Sequence, residues 1–96
     1  MSTFKVAHIK EQGENLIIIL LNPSFGNKLE SEQQHIRDTL QMCATDAGLA
    51  GTAIPVWEDA ARRMCYFAPK PWHPFFGSID MAYIVANINR TLTCNA

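Results

Sequence analysis

Six consecutive apolar residues, Leu16 to Leu21, constrain this chain more than any other segment. The run is short, rich in β-branched residues and bounded by turn-forming residues, so it predicts a strand rather than a helix. Because successive side chains of a strand point to opposite faces of a sheet, both faces of this strand are apolar. A sheet that contains it needs cover on both sides.

Two hairpins are predicted around this run. Phe4–Lys10 alternates as a strand, and the turn residues Gln12–Asn15 connect it to the apolar run. Thr52–Glu58 and Arg63–Ala68 predict the second hairpin. Pro55 lacks a backbone N–H, which indicates that its strand lies at an edge or carries a bulge.

Two helices complete the predicted elements. Ser31 to Gln34 fits a capping box, and Gly48 is placed to end that helix in the left-handed conformation. Ser78 is the candidate N-cap of a second helix that runs to about residue 92. Its apolar stripe consists of Met81, Ile84, Val85, Ile88 and Leu92. Its more polar stripe consists of Asp80, Tyr83, Asn87 and Arg90.

The element order β-β-α-β-β-α predicts one α+β domain over residues 1–96. We expect a four-stranded, mainly antiparallel sheet with two helices on one face. The two halves also resemble each other: Pro23–Gly26 matches Pro74–Gly77, and Ile36–Leu40 matches Ile88–Leu92. These matches suggest an internal ββα duplication.

With both helices on one face, the other face of the sheet stays apolar and uncovered. Burying one large side chain is worth roughly 1.5–3 kcal/mol, and large exposed apolar patches usually mark interfaces. The pattern therefore predicts a homodimer. The alternative is that the loop Pro69–Gly77 folds back over that face.

Charge and hydropathy exclude several classes of partner. The net charge of -1 lacks the basic footprint of a nucleic-acid-binding protein, and Arg62-Arg63 lies beside acidic Glu58-Asp59. No apolar run approaches the length of about 20 residues that a membrane span needs. With no secretory signal, the sequence predicts a cytoplasmic protein.

Three cysteines, Cys43, Cys65 and Cys94, lack metal-ligand spacing. We expect free thiols that pack as small apolar residues. The histidines His8, His35 and His73 complete no metal cluster with them. No metal or other cofactor is expected.

The proline-spaced loop Pro69–Gly77 contains the candidate site. Its prolines restrict the backbone, which suits a recognition loop, and Trp72 is a typical interface anchor. The alternative is that Trp72, Phe75 and Phe76 fill the ends of a small core. His73 is the candidate for proton chemistry, because histidine is the residue type whose unperturbed side chain changes charge near neutral pH.

Three functions are consistent with these residues. The first is a non-enzymatic binding or adaptor module, acting as a homodimer, whose surface combines Trp72 and His73 with the polar stripe of the second helix. The second is a small-ligand pocket with His73 or Arg90 orienting a polar group. Its walls would be Trp57, Trp72, Phe75 and Phe76. The third is an enzyme with His73 as general acid or base, oriented by Asp80, Glu58 or Asp59.

Three stretches carry a resemblance to a known group of proteins: Gly48–Glu58, Ala68–Phe76 and Ile84–Leu92. They resemble small bacterial proteins carried on mobile gene cassettes such as those of integrons. The resemblance covers mostly the C-terminal half and implies a bacterial, cytoplasmic origin. It implies no activity.

Overall fold

The computed structural model describes residues 2–94 of the 96-residue chain. In this range the chain forms an α+β fold with a mixed sheet and three α-helices. The strands are β1 Ser2–Glu11, β2 Glu14–Leu20, β3 Thr52–Glu58, β4 Met64–Tyr66 and β5 Arg90–Cys94. The α-helices are α1 Glu30–Asp46, α2 His73–Gly77 and α3 Met81–Ala86, and 3-10 helices span Pro23–Asn27 and Lys70–Trp72.

The five strands have the order β4-β3-β2-β1-β5. The two predicted hairpins, β1–β2 and β3–β4, are confirmed as antiparallel pairs. Gln12 and Gly13 form the first turn with φ of 50° and 80°, as a tight hairpin turn requires. The expected four-stranded, mainly antiparallel sheet is wrong. A fifth strand pairs with β1, and β2 is parallel to β3 because α1 acts as a crossover between them.

The strand β2 lies in the middle of the sheet and is buried on both faces, as its sequence predicts. One face, which we call the α1 face, buries Val6, Ile17, Ile19, Leu40, Ala44, Ala53, Leu92 and Cys94. The other, which we call the aromatic face, buries Ala7, Leu16, Ile18, Ile54, Val56, Trp72, Phe76 and Ile84. The predicted α+β class and the need for two covers are therefore confirmed.

Both covers come from the chain itself. The prediction of two helices on one face is wrong, because α1 covers one face while α2 and α3 pack on the other. The loop 69–77 folds back over the aromatic face, which was the alternative to a dimer. The homodimer remains a prediction, but the uncovered face that motivated it is absent from residues 2–94.

The ends of α1 follow the sequence only in part. The N-cap is Leu29, with no side-chain hydrogen bond, so Ser31 lies inside the first turn and the predicted capping box is wrong. Gly48 does adopt the left-handed conformation, with φ of 84°. The N–H of Leu49 then donates to the carbonyl of Ala44 at 2.9 Å, which closes the helix end.

The predicted second helix divides into α3 and β5. Asp80 caps α3 by accepting from the N–H of Tyr83 at 2.9 Å, so the predicted Ser78 cap is wrong. Leu92 pairs with Phe4 in the β1–β5 ladder instead of lying on a helix. The duplication is not supported either, because one matched segment lies in α1 and the other in a connecting segment and a strand.

The side-chain amide of Asn89 extends the β1–β5 ladder. The last backbone pair of that ladder is Val6–Arg90. Beyond it, Asn89 Oδ1 accepts from the N–H of His8 at 2.9 Å, and Asn89 Nδ2 donates to the carbonyl of His8 at 2.9 Å. The amide thus replaces a strand residue and shields the edge of β1.

Gln41 on α1 has the same role at β3. Its Oε1 accepts from the N–H of Ala53 at 2.7 Å, and its Nε2 donates to the carbonyl of Gly51 at 3.1 Å. Arg37 Nε donates to the carbonyl of Ala53 at 3.2 Å. These bonds pair the part of β3 that extends beyond the short strand β4.

Pro55 lies inside the sheet, so the prediction of an edge strand is wrong for β3. Its carbonyl accepts from the N–H of Phe67 at 3.0 Å, whereas the carbonyl of Val56 accepts from Leu21 of the β2 side at 2.8 Å. The nitrogen of Pro55 therefore faces the β4 side, where the β4 ladder reaches only Val56. The proline therefore removes only one possible hydrogen bond between β3 and β4, at the end of their pairing.

Cys43 of α1 and Cys94 of β5 form a disulfide, with their Cα atoms 5.9 Å apart. The prediction of free thiols is wrong for these two residues and confirmed for Cys65. The pairing depends on β5 lying beside α1, which the predicted helix that runs to about residue 92 conceals.

Candidate binding site

Aromatic side chains of β4 and loop 69–77 form a continuous cluster on the aromatic face. Tyr66 stacks on Phe76 with ring centroids 5.1 Å apart, and Phe75 meets Phe76 edge-on at 5.2 Å. Trp72 meets Phe75 edge-on at 5.9 Å. Trp72 and Phe76 are only 7% and 1% exposed. These two residues therefore belong to the core, whereas their neighbours Tyr66 and Phe75 are half-buried.

Trp57 lies on the other face of the sheet. Val56 packs on the aromatic face, so the next side chain of β3 points to the α1 side. There Trp57 contacts Phe25 with ring centroids 4.8 Å apart. The structure therefore does not bring Trp57 together with Trp72, Phe75 and Phe76, and the four side chains do not wall one pocket.

His73 is exposed and bonds the backbone. Its Nε2 lies 2.9 Å from the carbonyl oxygen of Ala68, so Nε2 carries the proton in this contact. Its ring also meets Tyr66 edge-on at 5.5 Å. Within residues 2–94, no hydrogen bond joins His73 to Asp80, Glu58 or Asp59, the carboxylates expected to orient it. His73 instead covers a backbone carbonyl next to β4.

The three polar residues expected on the second helix do not share a helix face. Tyr83 is half-buried and meets Phe75 edge-on at 6.2 Å. Asn87 Nδ2 donates to the carbonyl of Tyr83 at 2.8 Å, which closes α3. Arg90 is exposed at the first residue of β5. The predicted polar stripe is thus divided between a helix end and a strand.

The outer edge of β4 is unpaired. Asp59 N–H donates to the carbonyl of Arg63, and Phe67 N–H donates to that of Pro55, so odd-numbered residues face β3. The backbone groups of Met64 and Tyr66 therefore turn outward. They have no hydrogen-bond partner within residues 2–94.

A groove of about 490 Å³ runs beside this edge on the aromatic face. Its apolar lining is Met64, Tyr66, Phe76, Ile79 and Met81. All of these except Phe76 are half-buried, so their side chains are available for contact. Arg62, Arg63, Gly77, Asp80 and Ala82 complete the rim. An unpaired backbone edge and an apolar groove thus lie side by side.

The charged side chains around β4 differ in whether they form hydrogen bonds and ion pairs. Asp59 Oδ1 accepts from the backbone N–H groups of Ala61 and Arg63 at 2.9 and 2.8 Å, and Asp59 Oδ2 accepts from Arg63 Nε at 3.2 Å. The bond from the Arg63 N–H is the main cause that lowers the pKa of Asp59. Arg62 forms no ion pair in the part of the chain that the structure describes. It therefore leaves a free positive charge at the groove.

Cys65 does not have the surroundings of a reactive thiol. Burial raises the pKa of Cys65, and the nearby charge of Asp59 raises it further. The thiol is therefore protonated at neutral pH and poorly nucleophilic.

Among residues 2–94, no group of three or more His, Cys, Asp or Glu side chains is placed to hold a metal ion. None of the helices described in that range is long and apolar enough to cross a membrane. Comparison with protein-family models, curated proteins and solved structures finds no match to this chain. The site therefore has to be interpreted from its own geometry.

The sequence reasoning missed Met64, Ile79, Met81 and Arg62 as site residues. In the sequence, Arg62-Arg63 beside Glu58-Asp59 argues only against nucleic-acid binding. The signal that could have found this site is the two-residue spacing of Met64 and Tyr66 in the second hairpin's return strand, which places both side chains on one face of the sheet.

Proposed function

We propose that this protein is a small, non-enzymatic binding module that receives an extended segment of a partner protein along β4. The observation that carries the proposal is the unpaired backbone of Met64 and Tyr66 next to an apolar groove. Strand addition uses both features, since backbone bonds supply affinity and a groove accepts alternate side chains. The short β4 offers few backbone bonds, so the interaction is of the transient kind.

The groove indicates the chemistry of the partner segment. Met64, Ile79 and Met81 favour a flexible or branched apolar side chain, because thioethers adapt to irregular shapes. Arg62 favours a carboxylate at the end of the segment that lies near the β3–β4 turn. In antiparallel addition, that end is the C-terminal end of the segment. Asp80 also lines the groove, but its carboxylate accepts from the N–H of Tyr83.

The non-enzymatic part of the proposal is supported by the two residues most suited to chemistry. His73 bonds a backbone carbonyl rather than a carboxylate, and Cys65 has a raised pKa. Neither is activated as a general base or a nucleophile would be.

A second copy of the chain is the competing occupant of this edge. It would offer the groove no carboxylate in the same register, because the exposed charges that flank β4 are Arg62, Arg63 and Lys70. We therefore favour a foreign segment. The predicted homodimer is tested by light scattering of the parent protein and of the Met64→Pro variant.

The test measures fluorescence anisotropy of a labelled hexapeptide of alternating threonine and valine that ends in glutamate, with a lysine-ended peptide as control. We expect the glutamate peptide to bind more tightly. Met64→Pro removes an outward N–H and should abolish binding, whereas Met64→Ala should weaken it only a few-fold. Arg62→Glu should lower affinity about three- to tenfold, and the control Arg90→Glu should leave it unchanged.

Three results would contradict the proposal. The first is equal affinity of the two peptides, and the second is equal affinity of the Met64→Pro and Met64→Ala variants. The third is a stable dimer by light scattering that Met64→Pro dissociates, because the edge would then belong to a second copy.

A further inference from the structure

The disulfide Cys43–Cys94 ties an edge strand to a helix and lies beside an open depression. The strand β5 pairs only with β1 and buries Leu92 and Cys94 on the α1 face. The depression measures about 420 Å³ and is lined by Thr39, Met42, Cys43, Asp46, Ala47, Thr93 and Cys94. A small molecule in this depression therefore lies next to the disulfide.

The two sulfur-bearing residues are unequally accessible. Cys43 is half-buried on α1, whereas Cys94 is only 2% exposed. Attack by a thiolate requires access to one sulfur, and the other sulfur becomes the leaving group. The exposed side of the disulfide is thus Cys43, and Cys94 is the leaving group.

We propose that Cys43–Cys94 is a thiol–disulfide exchange site for small thiols, entered at Cys43. The incoming thiolate sulfur bonds to Cys43 Sγ, and the Cys43–Cys94 bond breaks. Its electron pair leaves on Cys94, which takes a proton from water. A second thiolate then attacks the small-thiol sulfur of the mixed disulfide, and Cys43 leaves as a thiolate that takes a proton from water. The products are the Cys43 thiol and the oxidised small thiol. The two thiol equivalents supply the two electrons.

Reduction removes the covalent tether of β5. The strand then keeps only its ladder to β1 and the packing of Leu92, and the Cys43 sulfur lies 3.4 Å from the carbonyl of Thr93. We expect β5 to open locally more often and to uncover the edge of β1. In a reducing cytoplasm, the compartment predicted from the sequence, such a bond is redox-responsive rather than permanent.

The first test compares the sulfurs directly with two single variants in a Cys65→Ser background. Cys94→Ser leaves the Cys43 thiol, and Cys43→Ser leaves the Cys94 thiol. Oxidised glutathione should form an adduct with the first at least tenfold faster than with the second, as followed by intact mass. Equal rates, or a faster reaction at Cys94, would overturn entry at Cys43.

The second test uses the Cys65→Ser protein with its disulfide intact. The experiment uses conditions in which unfolding is slower than reduction. Dithiothreitol should then reduce the disulfide at a rate proportional to the dithiothreitol concentration. Hydrogen exchange of β5 amides should then rise at least tenfold, while exchange of β2 amides stays unchanged. Reduction only at the unfolding rate, unchanged exchange in β5, or thiol titration that finds no disulfide would each refute the proposal.

Discussion

Replacing Gln41 with alanine removes a side-chain amide that hydrogen-bonds the backbone of β3 and its preceding residue where no neighbouring strand does so. The side chain makes two backbone bonds, one with the N–H of Ala53 at 2.7 Å and one with the carbonyl of Gly51 at 3.1 Å. Ala53 is fully buried. Its N–H therefore loses its partner in a place that water does not reach.

The expected cost follows from these contacts. Leaving a buried donor without a partner costs about 1–3 kcal/mol, and the bond to Gly51 adds about 1 kcal/mol. We therefore expect Gln41→Ala to lower the free energy of unfolding by about 2–4 kcal/mol. For a domain of this size, that change lowers Tm by roughly 8–32 °C, since 1 kcal/mol corresponds to about 4–8 °C.

Urea unfolding followed by circular dichroism measures this loss. Gln34→Ala is the matched control, because it makes the same replacement on the same helix at an exposed position, where the amide only bonds Asp38. It should change stability by less than about 0.5 kcal/mol. If Gln41→Ala were no more destabilising than Gln34→Ala, the amide would not complete the sheet and the reasoning would fail.

Other positions give independent checks. Gly26→Ala should destabilise the fold, since its Cβ would lie 2.6 Å from Trp57 Nε1, and a lower Tm with altered tryptophan fluorescence checks this. The lowered pKa of Asp59 means that its carboxylate stabilises the fold above its ordinary pKa of 3.8, and this contribution disappears as pH falls through the lowered pKa. Asp59→Asn should therefore lose less stability on acidification than the parent in urea titrations. Because the pKa of Cys65 is raised, iodoacetamide should alkylate it more slowly at neutral pH than it alkylates free cysteine, as measured by mass spectrometry.

Local patterns predict the centre of this fold well. The apolar run of β2 indicates a strand buried on both faces, and Gly48 ends α1 as its position suggests. The parallel pairing of β2 and β3 could also have been predicted from the sequence, because a helix between two strands allows a crossover connection.

The C-terminal part depends on long-range contacts. Ile84, Ile88 and Leu92 have helical spacing, yet Leu92 belongs to a strand because it pairs with Phe4. No local signal shows that Asn89 bonds the backbone of His8, more than 80 residues away in the chain. The disulfide and the opposite location of Trp57 could not be predicted for the same reason.

The candidate site expected from the sequence and the candidate site in the structure both lie near the loop 69–77, but they differ in the side chains involved. The loop 69–77 does pack beside the site, but Trp72 and Phe76 became core residues because a small fold needs their area. The unpaired backbone groups belong to Met64 and Tyr66, because β4 is the outermost strand of the sheet and pairs only with β3. The sequence alone does not show this strand order.

Strand addition along β4 is tested most directly by NMR hydrogen exchange of the Met64 and Tyr66 amides with and without the glutamate-ended hexapeptide. Both N–H groups face outward in the free protein, so we predict that the peptide slows their exchange in proportion to its occupancy. The amide of Cys65 faces β3 and should change much less. Binding that leaves Met64 and Tyr66 unprotected would contradict the central claim.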